Sequence, residues 1–396
     1  MDHAPPPPSD SEAVDQYARY DLPPAGFRNY WYPVIKARHL NRKPVAVKLL
    51  GDDIVLFRDG AAVHALADRC PHRGAKLSIG RCQFAGSGTI SCPYHGWTFR
   101  GDTGECVAAI MEGAESRVPG TVTVRPYPVV ERRGIIWVYV GEMAPTPFDE
   151  DVPDLIADEE TFFTIGVTEE YDCNWRLLTD NWTNEHHGPY VHGNSPELIF
   201  QPLPPFDLKL SVIDHGNGRS IGVRGAGGIT QAKFPGLGSF PRSSWHRVLK
   251  PTGRGARANW ENTRAAREYG VTTPSCTRLP GMVIVARPHG EYFLIQWAVP
   301  IDAHRTRLFN INCFRRRGLG RELYDRLHYA LWRGWAHDGI FSGEDKTVVE
   351  GIVNGRERLS HTDIGVIGWR KFASANARRP AEPEPARWDV PTHREA

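Results

Sequence analysis

Two short loops in this sequence each place one cysteine and one histidine close together. They read Cys70-Pro71-His72 and Cys92-Pro93-Tyr94-His95. A proline after each cysteine has a fixed φ angle and stiffens its loop, which favours a preformed ligand site. Two sulfur and two nitrogen donors on stiff loops predict a metal centre. They also require a fold that brings both loops to one tip.

This ligand set resembles that of a Rieske [2Fe–2S] cluster, in which two histidines replace two cysteines on one iron. Gly74 and Gly96 follow the histidines and let backbone N–H groups approach the cluster sulfurs. A Cys2His2 zinc site is the main alternative, but such sites pair like ligands, as in C-x2-4-C and H-x3-5-H. Here each loop pairs unlike ligands, which favours the iron–sulfur cluster.

The positions beside the ligands separate two kinds of Rieske protein. The respiratory-chain kind resembles C-x-H-x-x-C and C-x-C-H, in which the extra cysteines form a disulfide. Here those positions are Ala75 and Tyr94, so the chain is similar to Rieske ferredoxins and Rieske non-haem iron oxygenases. The other five of the seven cysteines are scattered and odd in number, which argues against a disulfide framework. We expect these to be small buried residues in a reducing cytoplasm: Cys82, Cys106, Cys173, Cys276 and Cys313.

Length and composition limit the number of domains and the kinds of binding partner that this chain can have. A chain of 396 residues suits two domains. A formal net charge of +2 gives no general reason to expect nucleic acid or an acidic membrane surface as a partner. No apolar run reaches about 18 residues, and the proline-rich start lacks the basic and apolar parts of a secretory signal. A cytoplasmic protein without a membrane partner is therefore expected.

The pattern along the chain predicts four regions. Residues 1–26 are expected to be a flexible Pro-rich N-terminus, and residues 381–396 a disordered tail. Residues 27–145 show short strands with hairpin signals at Gly51-Asp52 and Asp59-Gly60, which predicts an all-β domain. Residues 146–380 contain a helical pattern over 175–192, then strands, then helical patterns over 321–336 and 342–353, which predicts an α+β domain with an antiparallel sheet. Residues 234–272 are expected to form an irregular surface insertion.

The segment from Asp180 to His192 resembles a second motif of Rieske oxygenases, namely an acid, Asn, two residues, Asp, two residues, His, four residues and His. The resemblance implies that His187 and His192 bind a mononuclear Fe(II). His186 is the alternative ligand, and a histidine pair near a helix end can also be structural. Residues five apart lie about 140° around a straight helix. The helix must therefore bend or end between the pair, where Gly188-Pro189 lies.

The third ligand is expected late in the chain. The segment around Glu344 and Asp345 resembles the E-D-x-x-x-x-E pattern of the same family, in which the aspartate completes the iron site. Asp345 is therefore the expected ligand and Glu344 the alternative. Ser342 and Asp345 also fit S-x-x-D, a helix-capping pattern, and the two roles are compatible.

One position departs from the family pattern. Where the family has an acid that connects the mononuclear site to a Rieske histidine of the neighbouring subunit, this chain has Asn184. An amide can hydrogen-bond but cannot ionise. Asp180 or Glu185 is expected to take over this role, so these three residues are the catalytic candidates besides the metal ligands.

The resemblance covers most of the chain and identifies it as the α subunit of a Rieske non-haem iron oxygenase. It implies a helix-grip-like catalytic domain with a central antiparallel sheet, and a head-to-tail homotrimer. No G-x-G-x-x-G follows a strand and no plant-type C-x4-C-x2-C is present, so electrons are expected from a separate NAD(P)H-dependent flavin reductase, directly or through a ferredoxin.

The expected reaction is oxidation of an apolar aromatic or ring-containing molecule with O2. Monooxygenation, as hydroxylation or O- or N-demethylation, is favoured because no small partner subunit is evident, and cis-dihydroxylation stays open. Two functions of another class are also compatible with these motifs, namely an electron carrier with an inactive second iron site and a ligand-binding protein without turnover. Residues 242–267 hold seven Lys or Arg and one Glu, which suits either a carboxylated substrate or an ordinary solvated loop.

Overall fold

The computed structural model describes residues 15–184, 186–192, 195–196, 209–226, 233–234, 238–239, 275–287, 292–353 and 355–380. They form an N-terminal all-β module followed by a mixed module with a large antiparallel sheet, which confirms the expected fold class. Glu185, the basic segment 242–267 and the tail 381–396 lie outside the described residues.

The first module contains nine strands arranged as three small antiparallel sheets, in the orders β1-β9-β8, β2-β3-β4 and β5-β6-β7. The strands are β1 Tyr30–Lys36, β2 Val45–Leu49, β3 Asp52–Asp59, β4 Ala62–Ala67, β5 Thr89–Ser91, β6 Trp97–Arg100, β7 Cys106–Ala109, β8 Val129–Arg132 and β9 Ile135–Val140. Short 3₁₀ turns complete it at Ala37–His39, Leu77–Ile79 and Ile110–Glu112. The hairpins predicted at Gly51-Asp52 and Asp59-Gly60 are both formed.

In the described part of the second module, seven strands form an antiparallel sheet in the order β10-β18-β17-β16-β15-β12-β11. Its strands are β10 Phe162–Tyr171, β11 Lys209–Asp214, β12 Ser220–Ala226, β15 Ser275–Arg278, β16 Met282–Arg287, β17 Tyr292–Pro300 and β18 Thr306–Arg315. A separate two-stranded pair consists of β13 Lys233–Phe234 and β14 Gly238–Ser239. Each residue of β17 is buried, as expected for a central strand.

Helices cover this sheet and connect the modules. They are α1 Phe148–Asp151, α2 Asp154–Ala157, α3 Trp175–Thr183, α4 Gly188–Val191, α5 Leu319–His328, a wide π-type helix α6 Tyr329–Phe341, α7 Ser342–Glu350 and α8 Ile364–Asn376, with a 3₁₀ turn at His361–Asp363 before α8. Helix α3 packs against β15, β16 and β17, and also against α7 and α8. None of the helices in the described part of the chain is long and apolar enough to cross a bilayer.

The two modules share one hydrophobic core. The indole rings of Trp137 in the first module and Trp297 in the second lie 5.5 Å apart, and both side chains are fully buried. The hairpin turn at Leu50 and Gly51 donates backbone N–H groups to the carbonyls of Pro300 and Ile301. These contacts fix the first module against one end of the catalytic sheet.

Two local predictions differ from the structure. The helix expected over 175–192 ends at Thr183, before the first histidine, and Gly188-Pro189 begins the short helix α4 instead of breaking a long one. Proline is well tolerated in the first turn of a helix, where its missing N–H has no intrahelical partner. The prediction that residues 1–26 are flexible is wrong from Asp15 onward, because Tyr17 and Leu22 are buried in the shared core.

Candidate metal centres

The two Cys–His loops lie side by side and are closed in the same way. The N–H of Cys70 donates to the carbonyl of Ala75 at 2.8 Å, and the N–H of Cys92 donates to Trp97 at 2.8 Å. Both thiols are buried, and the Cys70 thiol contacts that of Cys92. The imidazole rings of His72 and His95 are 4.7 Å apart. Four donors from two separate loops are therefore gathered at one point.

The backbone around the first loop offsets part of the effect of burial on the Cys70 thiol. Burial raises the pKa of the Cys70 thiol, while the backbone N–H groups of His72 and Arg73, which point at its sulfur, act in the opposite direction. Gly96 has a φ of +71°, and a Cβ there would lie 2.9 Å from Cβ of Ile110. Glycine is thus required where the second loop packs closely against the chain.

Aromatic rings hold both imidazoles. The ring of His72 stacks on Trp97 at 4.5 Å with an angle of 8° between planes, and His95 stacks on Tyr94 at 3.9 Å. Nδ1 of His95 is buried and has no hydrogen-bond partner among the described residues. A buried nitrogen without a partner beside two thiols is the arrangement expected where a metal completes the site. The donor set fits a [2Fe–2S] cluster.

A second group of donors converges in the catalytic module. One nitrogen or oxygen atom from each of His187, His192 and Asp345 lies within 4.8 Å of the others. Oδ1 of Asp345 is 3.1 Å from Nε2 of His192 and 3.4 Å from Nε2 of His187. His187 lies just before α4 and His192 just after it, while Asp345 lies in the first turn of α7. The two histidines flank this single short helix instead of lying within one long straight one.

A polar neighbour holds each of the three side chains. Nδ1 of His192 is 2.8 Å from Oε2 of Glu344, and Nδ1 of His187 contacts the backbone carbonyl of Asn184. The amide of Asn181 donates to Oδ1 of Asp345 at 3.1 Å. In both histidines the outer nitrogen, Nδ1, lies beside an oxygen that can accept a hydrogen bond from it. The lone pair of Nε2 is then directed at the centre, as histidine ligands require.

The electrostatics of this group suit a cation. Burial acts to raise the pKa of Asp345, but the neighbouring His187 and His192 outweigh it and the pKa falls well below its usual range. Nε2 of His192 is buried and makes no hydrogen bond of acceptable geometry to any described residue, although Oδ1 of Asp345 is close. Two imidazoles and one carboxylate gathered at one point fit the donor set of an Fe(II) facial triad.

The other candidates occupy different places. Asn184 follows the last turn of α3 and is half-buried beside His187. Asp180 faces away from the triad and accepts hydrogen bonds from Arg370 and from the hydroxyl of Tyr17. The ring nitrogens of His186 are buried outside the three-residue group.

Sequence reasoning missed the roles of Glu344 and Asn181. The sequence predicts Glu344 only as an alternative ligand, whereas in the structure it contacts the outer nitrogen of His192. Its position beside Asp345 was the available signal, because adjacent carboxylates at a helix start point in different directions, about 100° apart. Asn181 is part of the oxygenase-like motif, but no spacing rule links it to a residue so distant in the chain.

Comparison with known families agrees with this arrangement. The Rieske [2Fe-2S] domain profile matches residues 30–125, and the homotrimeric ring hydroxylase profile matches residues 139–379. The chain therefore belongs to the homotrimeric ring hydroxylases and is an α subunit of a Rieske-type oxygenase, an oxidoreductase that incorporates molecular oxygen. Its cofactors are a [2Fe–2S] cluster and a mononuclear iron.

Individual relatives extend over most of the chain. The terminal oxygenase component of carbazole 1,9a-dioxygenase from Sphingomonas sp. is 31% identical over 382 residues, which cover 89% of this chain and 92% of that protein. The oxygenase component of dicamba O-demethylase from Stenotrophomonas maltophilia is 38% identical over 172 residues, 42% of this chain and 47% of that protein. A solved reduced complex between oxygenase and ferredoxin of carbazole 1,9a-dioxygenase is similar with a TM-score of 0.71 and 25% identity, and the match covers 90% of each chain.

Proposed function

We propose that this chain is the terminal oxygenase of a multicomponent system that oxidises an apolar, ring-containing small molecule with O2. The observation that carries the proposal is the convergence of His187, His192 and Asp345 in a chain that also has two Cys–His loops. The first centre accepts single electrons and the second is placed to activate oxygen. An electron carrier alone would not need the second group of donors.

Cys70, Cys92, His72 and His95 would hold the [2Fe–2S] cluster, with the thiolates and the imidazoles as its two kinds of ligand. When bound, the cluster supplies one-electron transfer at a potential in the range of roughly −150 to +300 mV. The chain contributes burial of both thiols and two backbone N–H groups directed at the Cys70 sulfur. His72 stays exposed at the surface of the module. This gives an electron a short route in and out.

His187, His192 and Asp345 would hold the mononuclear iron. When bound, this iron would supply the activation of O2 beside the substrate. Glu344 and the carbonyl of Asn184 keep the protons of the two imidazoles on Nδ1, so both Nε2 atoms stay available. Asn181 fixes the ligand oxygen of Asp345. These contacts orient the three ligand side chains.

In a head-to-tail trimer, electrons would cross between subunits near Asn184. Because His187 is already held by the backbone carbonyl of Asn184, its orientation does not depend on a side-chain carboxylate at this position. The Asn184 amide is left to hydrogen-bond with the neighbouring subunit. Asp180 is a weaker candidate for this link, since Arg370 and Tyr17 already occupy its oxygens. Glu185 remains a candidate for this link because of its position in the sequence.

The electron donors are a separate NAD(P)H-dependent reductase and a ferredoxin. The similar oxygenase whose complex with ferredoxin is known supports the second of these. Among the described residues, β16 and β17 carry buried apolar side chains and pack against α3. An apolar substrate suits such a sheet. The basic segment at 242–267 would also suit a substrate that carries a carboxylate, because its positive charge would attract one.

The reaction type has two candidates with separate support. Monooxygenation is supported by the likeness to an O-demethylase over part of the chain, and ring dioxygenation by the likeness to carbazole dioxygenases over nearly all of it. Both consume one O2, two electrons and two protons. Monooxygenation leaves one oxygen atom in the product and one in water, whereas dioxygenation leaves both in the product. Turnover of aromatic candidates under ¹⁸O2, with mass spectrometry of the product, separates them.

Metal analysis tests the proposal without a known substrate. We expect three irons and two acid-labile sulfides per chain, and His187→Ala should lose one iron while its [2Fe–2S] absorption stays unchanged. His186→Asn is the matched control and should keep all three. The cluster spectrum reports in the same sample that the protein is folded. Loss of iron in the His186 variant with retention in the His187 variant would overturn the assignment.

A further inference from the structure

Residues 15–24, called here the N-terminal strap, lie along the start of α3 although they precede the whole Rieske module in sequence. The indole N–H of Trp175 donates to the carbonyl of Pro23 at 3.0 Å, and the amide of Asn174 donates to Pro24 at 2.8 Å. These contacts connect the first turn of α3 to the strap. The strap is therefore part of the support of the helix that leads to the iron ligands.

Tyr17 is the central contact between the strap and α3. Its ring contacts two guanidinium groups, with that of Arg176 at 4.1 Å and that of Arg370 at 4.4 Å from the ring centre. Its hydroxyl donates to Oδ2 of Asp180 at 2.6 Å, and the side chain is 2% exposed. Two cation–π contacts and a charge-assisted hydrogen bond from the hydroxyl together hold this side chain in one orientation.

Asp180 is held from a second side by the C-terminal helix. Arg370 of α8 donates to Asp180 at 2.6 Å and to Glu357 at 2.6 and 2.7 Å. A buried carboxylate with this many partners has little freedom to move. The strap and α8 together hold Asp180 and so restrict the rotation of α3 about its own axis.

The next residue on α3, Asn181, connects this helix to the metal site. Asn181 points about 100° away from Asp180 around the helix and donates to Oδ1 of Asp345 at 3.1 Å. Asp345 belongs to α7, so the amide of Asn181 is a link between α3 and the carboxylate ligand. A rotation of α3 that relaxed Asp180 would move this amide away from Asp345.

We propose that Tyr17 is a positioning residue for the mononuclear iron site, acting through Asp180 and Asn181 on Asp345. This inference rests on the proposed function in one respect, that Asp345 is an iron ligand. Residues that orient ligands usually change metal affinity by 10–100-fold when removed. Tyr17 acts through two further residues, so loss of its hydroxyl should weaken Fe(II) binding by about tenfold, at the lower end of that range.

The test compares Tyr17→Phe with Tyr127→Phe. Tyr127 also donates its hydroxyl to an aspartate, Asp52, but lies in the Rieske module away from α3. Each full-length variant, with its cluster loaded and its mononuclear iron removed by a chelator, is titrated anaerobically with Fe(II). We expect weaker binding only in the Tyr17 variant. Equal Fe(II) affinity in both variants, with similar loss of thermal stability, would show a merely structural role and overturn the inference.

Asn181→Ala completes the design. It should weaken Fe(II) binding more than Tyr17→Phe does, and in its background the Tyr17 change should have no further effect, because the link is already broken. Additive effects of the two changes would refute the proposed route. If Asn181→Ala and His187→Ala both left Fe(II) affinity unchanged, the iron site itself would be wrong. If both weakened it while Tyr17→Phe and Asp180→Asn did not, the iron site would stand and the strap would have no part in it.

Discussion

The contact between Glu344 and His192 makes a quantitative prediction about iron affinity. Oε2 of Glu344 lies 2.8 Å from Nδ1 of His192, whose side chain is 1% exposed, while that of Glu344 is 27% exposed. The carboxylate fixes the tautomer of the ring and makes Nε2 a stronger donor. Removing such a partner typically lowers metal affinity 10–100-fold, which corresponds to about 1.4 to 2.7 kcal/mol.

Two substitutions separate geometry from charge. Glu344→Ala removes the acceptor, and we expect Fe(II) to bind between about 10 and 100 times more weakly. Glu344→Gln keeps an oxygen that can accept the proton of Nδ1 but has no charge, so its effect should be smaller than that of alanine. The assay is anaerobic Fe(II) titration of protein whose [2Fe–2S] cluster is intact. Glu350→Gln, on the same helix but bonded to the N–H of Asp172, is the control and should bind as the parent does.

The alternative, in which Glu344 is the ligand and Asp345 supports it, gives a different result. Glu344→Ala would then lose its mononuclear iron outright, and Asp345→Ala would keep it with reduced affinity. Parent-like affinity in both Glu344 variants would refute the reasoning that this carboxylate orients His192. The three results are distinguishable in one titration series.

Three further outcomes follow from packing and burial. Gly365→Ala should lower the free energy of unfolding by about 1–3 kcal/mol in urea denaturation, because a Cβ there would lie 2.1 Å from the carbonyl oxygen of Thr183; a gain, as for an ordinary helical glycine, would contradict this. Arg370→Met should cost about 3–5 kcal/mol by leaving Asp180 buried without its cation, and adding Asp180→Asn should restore part of it. Burial raises the pKa of Cys313 to about 12, so iodoacetamide at pH 8 should label it, by mass spectrometry, only after denaturation; rapid labelling of native protein would count against its burial.

The sequence was sufficient for the parts of the site that depend on unusual ligand chemistry. The two Cys–His loops predict their own convergence, since few metal sites use that set, and the structure brings all four side chains together. The grouping of His187, His192 and Asp345 came from resemblance to a family motif, because a spacing of four residues between histidines does not itself converge on a helix. Their assignment as ligands stays a prediction that metal analysis checks.

What could not be predicted depends on contacts between distant segments. Helix α3 ends at Thr183, where no glycine or proline marks the end, and Asn184 closes it with a non-helical backbone. The proline-rich composition before residue 15 suggested flexibility for the whole N-terminus, but a single tyrosine followed by Leu22 and Phe27 is enough to anchor the following segment. Such tertiary burial leaves no periodic pattern in so short a stretch.

The placement of the N-terminal strap means that the cluster-bearing module is an insertion within the catalytic unit. Residues on both sides of it, Tyr17 before and Asp180 after, belong to one buried network that closes on Arg370. A fragment that begins after the Rieske module would leave that carboxylate without its tyrosine. Grafting a Rieske module from a relative into this protein should therefore replace 27–145 and keep the flanking residues on both sides.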